Sequence, residues 1–330
     1  MSAIMLKVIL ALLPGIVMYV WFFGAAILVS ITLASITALA TEAAMLKIRR
    51  RPVAPFLKDN SALLTAWLLA LSIPPLAPWW LIVVGTAFCI AIAKHLYGGL
   101  GNNPFNPAMV GYAVLIVSFP VQMTHWLTPQ GMGTELSFAQ QLHYIFASVL
   151  PENLQLDAVT MATPLDTLKT QLHLGHATAN DILTQPIFST LGGHGSEMVA
   201  LGFLIGGLYL LASKIISWHL PVVFLGTLFL IAGIFHVADS AHYVSPVFHL
   251  FSGAAMLGAF FILTDPITSP TTRKGKFIFA AGVALLTYLI RVYGAFPDGI
   301  AFATLLMNIC VPLIDAYTQP KVFGKKENKS

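Results

Sequence analysis

Charged side chains are scarce in this 330-residue chain, since Asp, Glu, Lys and Arg together make up 9% of it and hydrophobic residues make up 57%. Soluble globular proteins carry about 25% charged residues. So few charges cannot cover the surface of a water-soluble fold, which excludes a cytosolic enzyme. The composition, with a mean hydropathy of +0.82, is typical of an integral membrane protein.

Cysteine is almost absent. The two thiols, Cys89 and Cys310, lie in separate apolar runs and form no CxxC pair. An iron–sulfur cluster needs about four thiolates and a zinc ribbon a similar number, so neither is expected. Two separate cysteines also exclude a disulfide framework. The histidines inside apolar runs lie toward the ends of those runs, which disfavours a haem held between spans. The sequence therefore predicts no metal site.

Long apolar runs dominate what is present, and crossing a bilayer takes about 20 apolar residues. Ten candidate spans cover residues 5–22, 24–46, 59–76, 79–97, 107–123, 198–217, 219–236, 247–264, 276–294 and 297–317. The first run meets no clear cleavage site and is interpreted as a retained span. The third is short and runs into three prolines at residues 74–78, so a broken helix is expected there.

The distribution of basic residues predicts the orientation. Ten spans place both termini on one side of the membrane, and fifteen of the 17 Lys and Arg residues then share that side. Only Lys169 and Arg291 lie on the other. Because basic residues are retained in the cytoplasm, both termini are predicted to be cytoplasmic. The net charge of +4 is thus a signal of topology and does not indicate nucleic-acid binding.

One connection differs from the rest in length and polarity. Residues 124–197 lie on the non-cytoplasmic side and carry six carboxylates against Lys169 alone. Loops longer than about 15 residues usually carry function or are disordered. The candidate functional site is therefore expected in this long loop.

The long loop divides the chain into five spans and five spans, so the two halves have opposite orientations. Residues 94–98 and 291–294 each place a basic residue before a Tyr-Gly pair, between spans four and five of their half. Inverted repeats are typical of transporters, although two Tyr-Gly turns could also arise by chance. We predict an all-α polytopic membrane protein of about ten helices. Its expected domains are a first five-helix repeat (1–123), a periplasmic loop (124–197), a second repeat (198–320) and a basic cytoplasmic tail (321–330).

A helix start is predicted within residues 157–166. Thr163 is expected to be the N-cap, Pro164 the first helical residue and Asp166 the acidic residue three positions beyond the cap. The same geometry would suit a phosphate esterified to Thr163, because a helix N-terminus favours an anion. Asp166 would oppose that phosphate modestly. Spacing alone favours a simple helix start and is compatible with both interpretations.

A family resemblance rests on this segment and on several others. Residues 157–163 resemble the flavinylation motif D-x-x-[S/T]-x-A-T, in which the last Thr carries FMN through a phosphoester bond; Met161 stands where the commonest form has Gly. The chain resembles, along nearly its whole length, the family of the D subunit of the Rnf ion-translocating electron-transport complex. More distantly, it resembles the B subunit of the sodium-pumping NADH:quinone reductase. The segments that also carry the resemblance are residues 58–65, 94–108, 260–266 and 312–315.

The resemblance implies covalent FMN on Thr163, with Thr160 as the alternative acceptor. The motif residues it assigns around the acceptor are Asp157, Thr160, Ala162, Pro164 and Leu165. It also implies a bacterial inner-membrane complex that couples oxidation of NADH or ferredoxin to movement of Na⁺ or H⁺. The expected partners are the A, B, C, E and G subunits of the Rnf complex, the lipid bilayer and a flavin transferase that acts outside the cytoplasm.

Two further loops are candidates for a second, noncovalent flavin such as riboflavin. The first could cradle a flavin ring or line an ion path, and its simpler interpretation is a tight cytoplasmic turn; it comprises Gly98, Gly99, Gly101, Asn102, Asn106 and Pro107. The second could contact a flavin or a partner, and its simpler interpretation is a span terminus with basic topology residues; it comprises Asp265, Thr271, Arg273 and Lys274.

Two other classes of function fit the same pattern of spans. One is a small-solute channel or transporter with inverted repeats, and the other is a membrane scaffold subunit without redox activity. Carboxylates lie near span ends or in turns and not at span centres. A proton relay usually needs ionisable residues along its path. We therefore expect that coupling depends on shape changes or on partner subunits.

Overall fold

The computed structural model describes residues 2–152, 154–175 and 178–320, so the predicted basic tail lies outside the described residues. The described chain is mainly helical. Its first part contains α1 (Ser2–Phe23), α2 (Ala26–Ile48), α3 (Val53–Leu57), α4 (Ser61–Ala70), α5 (Trp79–Phe88) with its π-helical continuation Cys89–His95, α6 (Pro107–Ser118) and α7 (Pro120–Thr124).

The remaining elements belong to the long loop and to the second half. The loop contains β1 (Trp126–Leu127), α8 (Phe138–Ala147), a 3₁₀ turn (Leu156–Ala158), β2 (Thr160–Met161), α9 (Pro164–Leu174) and α10 (Ala179–Leu183). The second half contains α11 (Ser196–Ala212), α12 (His219–Ala238), α13 (Pro246–Phe251), α14 (Ala255–Leu257) with its π-helical continuation Gly258–Ile262, α15 (Arg273–Tyr293) and α16 (Ile300–Thr318).

Five helices are long and apolar enough to cross a bilayer, namely α1, α2, α12, α15 and α16. Shorter apolar helices are α4, α5 with its π-helical continuation, α6 and α11. Large apolar side chains such as Trp21, Leu230, Ile234 and Leu313 point outward and are exposed, as expected for a surface that faces lipid. The prediction of a multi-pass membrane protein is therefore confirmed.

Three of the candidate spans are not single continuous helices; in the fifth, α6 ends at Ser118 and α7 begins at Pro120. In the third, α4 ends early at Ala70, and the next helix, α5, begins at Trp79 in the fourth span, because the intervening prolines lack the N–H that a helix requires. In the eighth, the helix breaks between Phe251 and Ala255. Gly253 has a φ of +62°, and a Cβ at that position would overlap Asp298 Oδ2. Only glycine fits this break, which the apolar composition of the run does not reveal.

A small antiparallel sheet departs from the all-α prediction. Trp126 pairs with Met161, and Leu127 pairs with Thr160. The two strands are too short and too far apart in the chain to be recognised from an alternating pattern. Their pairing joins the entry of the long loop to the segment that leads into α9.

The long loop packs on the membrane helices of both halves. One small core forms where α9 and α10 meet α13; its buried residues are Leu165, Leu168, Ala179, Ile182, Ile187, Phe188, Val244 and Phe248. A second forms near the start of α2; its buried residues are Ala26, Leu76, Leu127, Leu136, Ile145 and Val159. The described part of the loop is thus a folded unit with a fixed position on the helices.

The helices of the two halves make corresponding contacts. In the first half α2 packs against α4 and α5, and in the second half α12 packs against α13 and α15. Between the halves, α1 packs along α11 and α6 packs against α16. One continuous apolar core therefore runs through both halves.

Glycines allow the close crossing of α1 and α11. A Cβ at Gly202 would lie 2.7 Å from Gly15 Cα, and a Cβ at Gly206 would overlap the Ala11 carbonyl oxygen. This spacing of small residues lets two helix backbones approach without a side chain between them, as is common in membrane proteins.

We expect Gly206→Ala to destabilise the protein by about 1–3 kcal/mol, because the added methyl group would force two backbones apart. The measurement is thermal unfolding of the purified protein in detergent. Gly226→Ala on α12 is the matched control, since no atom lies within 4 Å of its added Cβ. Equal melting temperatures for the two variants would contradict the proposed crossing.

Candidate functional site

Thr163 occupies the position that the sequence predicts for it. It is the N-cap of α9, and its Oγ1 accepts a hydrogen bond of 3.2 Å from the backbone N–H of Asp166. Pro164 is the first residue of the helix. The predicted helix start is therefore confirmed, and Thr163 is half-buried at the end of a helix whose dipole favours an anion.

The other residues of the motif have different environments. Asp157 and Ala162 are exposed, whereas Leu165, in the first turn of α9, is buried. Thr160 lies in β2, is buried, and donates its hydroxyl hydrogen to the Leu156 carbonyl oxygen at 2.9 Å. Thr160 is thus less accessible to a modifying enzyme than Thr163. This difference favours the Thr163 hydroxyl as the acceptor.

A cavity of about 170 Å³ opens beside Thr163 and extends into the helical core. Its walls are largely apolar and aromatic, and both halves of the chain contribute to them. Residues that line it from the helices include Tyr19, Phe23, Met109, Tyr112, Val199, Phe203, Met256, Leu257, Ile262, Ile300 and Ala301. Such a lining is typical of a ligand or cofactor pocket. No sequence pattern indicates this cavity, because its walls come from distant parts of the chain.

The segment before α11 forms the edge of this cavity next to Thr163. A Cβ at Gly193 would overlap the Pro164 ring at Cγ, so this segment fits closely against the start of α9. His194 and Ser196 follow it and line the cavity together with Thr163. The imidazole, the Ser196 hydroxyl and the first N–H groups of α9 are the groups that could hold a phosphate at Thr163.

Arg291 and Asp298 form a buried ion pair at the same end of the molecule. The Arg291 Nε to Asp298 Oδ1 distance is 2.9 Å, and the guanidinium also donates to the carbonyl oxygens of His249 and Ser252. Asp298 Oδ2 accepts a 2.7 Å hydrogen bond from the N–H of Ala254. The pair therefore satisfies the backbone groups that the break after α13 leaves free, and Asp298 lines the cavity.

Lys169 also binds backbone groups of the protein. Its ammonium group donates to the carbonyl oxygens of Ile290 at 3.3 Å, Gly294 at 2.8 Å and Phe296 at 2.5 Å. Burial lowers the pKa of Lys169, and the carboxylates of Asp166 and Asp298 oppose that effect. The two basic residues that the charge rule leaves on this side thus both bind protein groups.

The predicted glycine-rich loop lies at the opposite end of the helices. Gly98, Gly99 and Gly101 have φ values of +121°, +93° and +92°, so the loop requires a left-handed backbone that favours glycine. The side chain of Asn102 lies next to Gly98. Asn106 is buried and caps α6, whose first residue is Pro107, by accepting the N–H groups of Ala108 and Met109.

The second predicted loop is organised by two carboxylates. Asp265 accepts the N–H of Ile267 at 3.2 Å and the hydroxyl of Thr268 at 3.0 Å. Asp315 accepts the N–H of Thr271 at 3.1 Å. Arg273 and Lys274 form the first turn of α15. These hydrogen bonds fix the shape of the loop.

Asn308 brings the two loops together. Its Oδ1 accepts the N–H of Asn106 at 3.1 Å, and its Nδ2 donates to the Thr268 carbonyl oxygen at 2.9 Å. Asn106 Nδ2 also reaches the Ile262 carbonyl oxygen at 3.5 Å. Asn308 was not predicted from the sequence, although an amide within the apolar run 297–317 is an available signal.

The cavity lies between these loops and Thr163. Among the residues that line it are Met109, whose N–H donates to Asn106 Oδ1 at 3.3 Å, and Ile262, whose carbonyl accepts from Asn106. The cavity therefore extends from Thr163 to residues that hydrogen-bond to Asn106 of the first loop.

A buried charged cluster lies near the glycine-rich loop. Lys94 Nζ is 2.9 Å from both carboxylate oxygens of Glu42 and 2.9 Å from Ser61 Oγ. His95 Nε2 is 3.1 Å from Glu42 Oε2, and Arg49 Nη1 is 3.2 Å from His95 Nδ1. Glu42 is toward the end of α2, as its position in the run predicts, but it is 1% exposed. Its charge therefore depends on these partners.

The chain is similar to known proteins along nearly its whole length. The profile of the NQR2, RnfD, RnfE family matches residues 1–324. A protein of Aliivibrio salmonicida, named as the D subunit of an ion-translocating oxidoreductase complex, is 53% identical over 99% of this chain and 95% of its own length. Its namesake in Yersinia pseudotuberculosis serotype O:1b is 55% identical over 98% of this chain and 94% of its own. The protein of the same name in Klebsiella pneumoniae is 53% identical over 98% of this chain and 95% of its own length.

Glu42→Gln is expected to destabilise the protein by about 3–5 kcal/mol, because it leaves the Lys94 ammonium buried without its counter-charge. Combining it with Lys94→Met should recover part of that loss. Thermal unfolding in detergent measures both effects. Glu152→Gln, at an exposed loop position, serves as the control. A double variant no more stable than Glu42→Gln alone would show that the two side chains do not stabilise each other.

Proposed function

Since the chain belongs to the NQR2, RnfD, RnfE family, we propose that it is the membrane-embedded D subunit of an ion-translocating oxidoreductase complex and carries covalent FMN on Thr163. The observation that carries this proposal is the position of Thr163. It is a half-buried helix cap at the mouth of a cavity with aromatic and apolar walls.

The residues around Thr163 fit the proposed group. The start of α9 supplies N–H groups for the phosphate, and His194 and Ser196 line the same cavity. The apolar walls suit a planar aromatic ring system. When bound, FMN supplies one-electron transfer. The protein holds the ring near the helices and limits its contact with water.

The cavity also supports a relay between two sites. It extends from Thr163 toward the residues that Asn106 contacts, where the two cytoplasmic loops meet through Asn308. A noncovalent flavin such as riboflavin, bound at those loops, would lie on the far side of this space. Electrons would then pass between the two faces of the membrane within this subunit.

Ten spans in two inverted five-helix repeats account for the packing. The contacts of α2 with α4 and α5 correspond to those of α12 with α13 and α15. Lys94 and Arg291, the basic residues near the ends of the fourth and ninth spans, form ion pairs at opposite ends of the molecule, which supports the inversion. We place both termini in the cytoplasm of a bacterial cell and the long loop in the periplasm, where a flavin transferase can reach Thr163.

Coupling to ion movement belongs to the assembled complex. We propose that the A, B, C, E and G subunits supply the electron donors and acceptors, and that Na⁺ or H⁺ moves in response to shape changes. The helix break after α13 and the proline segment between α4 and α5 offer places where the helices can rearrange. One carboxylate variant that abolishes transport without affecting electron flow would overturn this mode of coupling.

The covalent attachment is tested by Thr163→Ala in cells that contain the flavin transferase. The variant should lose in-gel flavin fluorescence and the mass increment of one FMN, because the acceptor hydroxyl is gone. Thr160→Ala is the matched control and should keep both, and Thr163→Ser should keep a hydroxyl at the same cap.

Two results would contradict the proposal. Fluorescence that persists in Thr163→Ala and disappears in Thr160→Ala would move the attachment to Thr160. A wild-type protein without covalent flavin would favour a solute transporter that uses the same cavity between the repeats, or a scaffold subunit without redox activity.

A further inference from the structure

One cation links α9, the helix capped by Thr163, to the end of α15. Lys169 is the only Lys or Arg among residues 124–197. Its ammonium group reaches three carbonyl oxygens at the end of α15, those of Ile290, Gly294 and Phe296. The last carbonyls of a helix carry partial negative charge and favour a cation.

We propose that Lys169 is a positioning residue for the flavin: it holds α9 against the C-terminal end of α15 and thereby keeps Thr163 at the mouth of the cavity. This inference rests on the proposed function, since it concerns where the flavin-bearing residue sits. It goes further by assigning that position to a side chain outside the attachment motif.

The apolar contacts of α9 do not make this attachment on their own. Leu165 and Leu168 are buried in a small core with α10 and α13, which holds the helix from another side. Lys169 adds hydrogen bonds to the end of α15, a contact that apolar leucine side chains cannot make. Two of the carbonyls that it binds, those of Gly294 and Phe296, lie past the last residue of α15 and outside its helical hydrogen bonds.

The attachment point adjoins the groups that shape the cavity. Arg291 follows Ile290 directly and forms an ion pair with Asp298. The Asp298 carboxylate accepts a hydrogen bond from the N–H of Ala254, at the break after α13. Asp298 and Ala254 line the cavity together with Thr163. Lys169 therefore connects α9 to the same end of α15 that supports the cavity wall.

A lysine on the protein surface without specific partners would have a different effect on the position of α9. Such a lysine would be solvated and would contribute little to the position of its helix. Lys169 is half-buried, and its three partners are all backbone oxygens of one turn region. Replacing it should therefore change the position of α9.

The test compares Lys169→Met, which keeps the aliphatic stem but removes the donors, with Lys169→Arg, which keeps a cation. Thr170→Met, an exposed position on the same helix, is the matched control. All are examined in the purified complex. Hydrogen exchange of the α9 amides reports docking, iodide quenching of the covalent flavin reports its exposure, and intact mass reports FMN occupancy.

In Lys169→Met we expect exchange of the α9 amides to accelerate at least about tenfold, because charged hydrogen bonds are lost. Iodide quenching should increase about twofold or more as the flavin leaves the cavity mouth. FMN occupancy should stay unchanged, Lys169→Arg should recover both signals in part, and Thr170→Met should match wild type. Wild-type exchange and quenching in Lys169→Met would overturn the proposal.

Two further outcomes separate this proposal from the previous one. A wild-type protein without FMN would refute the covalent site, while hydrogen exchange would still test the docking by Lys169. If Lys169→Met does not accumulate, labelling of wild-type spheroplasts with a membrane-impermeant amine reagent decides the question. Protection of Lys169 supports docking, and ready labelling overturns it.

Discussion

The whole structure depends on one constraint: inside a bilayer, each backbone polar group and each charge must find its partner within the protein. The break after α13 exposes backbone groups, and Arg291 with Asp298 satisfies them. At the other end, Glu42 accepts hydrogen bonds from Lys94. Buried charge in this protein is therefore tied to irregular backbone and to helix ends.

The long loop is also held in place by contacts with distant parts of the chain. Its described part folds on the helices through small apolar cores and a two-stranded sheet. The cap of α9 places Thr163 beside a cavity to which both halves contribute. A group attached to this residue would lie between the aqueous face and the apolar core, which is a suitable position for a carrier that exchanges electrons with partner subunits.

Local patterns were sufficient for some features and insufficient for others. The cap at Thr163 depends on residues only three positions apart, so spacing predicted it correctly. The break at Gly253 depends on Asp298, which lies 45 positions later in the chain, and the sheet pairs Leu127 with Thr160. An apolar run read by itself carries no information about such distant partners.

Composition was enough to predict the membrane class, and short-range spacing was enough to predict the helix start at Thr163, because both depend on residues that are close together in the chain. Tertiary structure alone decided that Lys169 binds the end of α15 and that Asn308 joins two loops. It also decided that a cavity reaches from Thr163 toward Asn106. These features exist only after segments far apart in the chain have packed together, since each requires donors and acceptors from different helices.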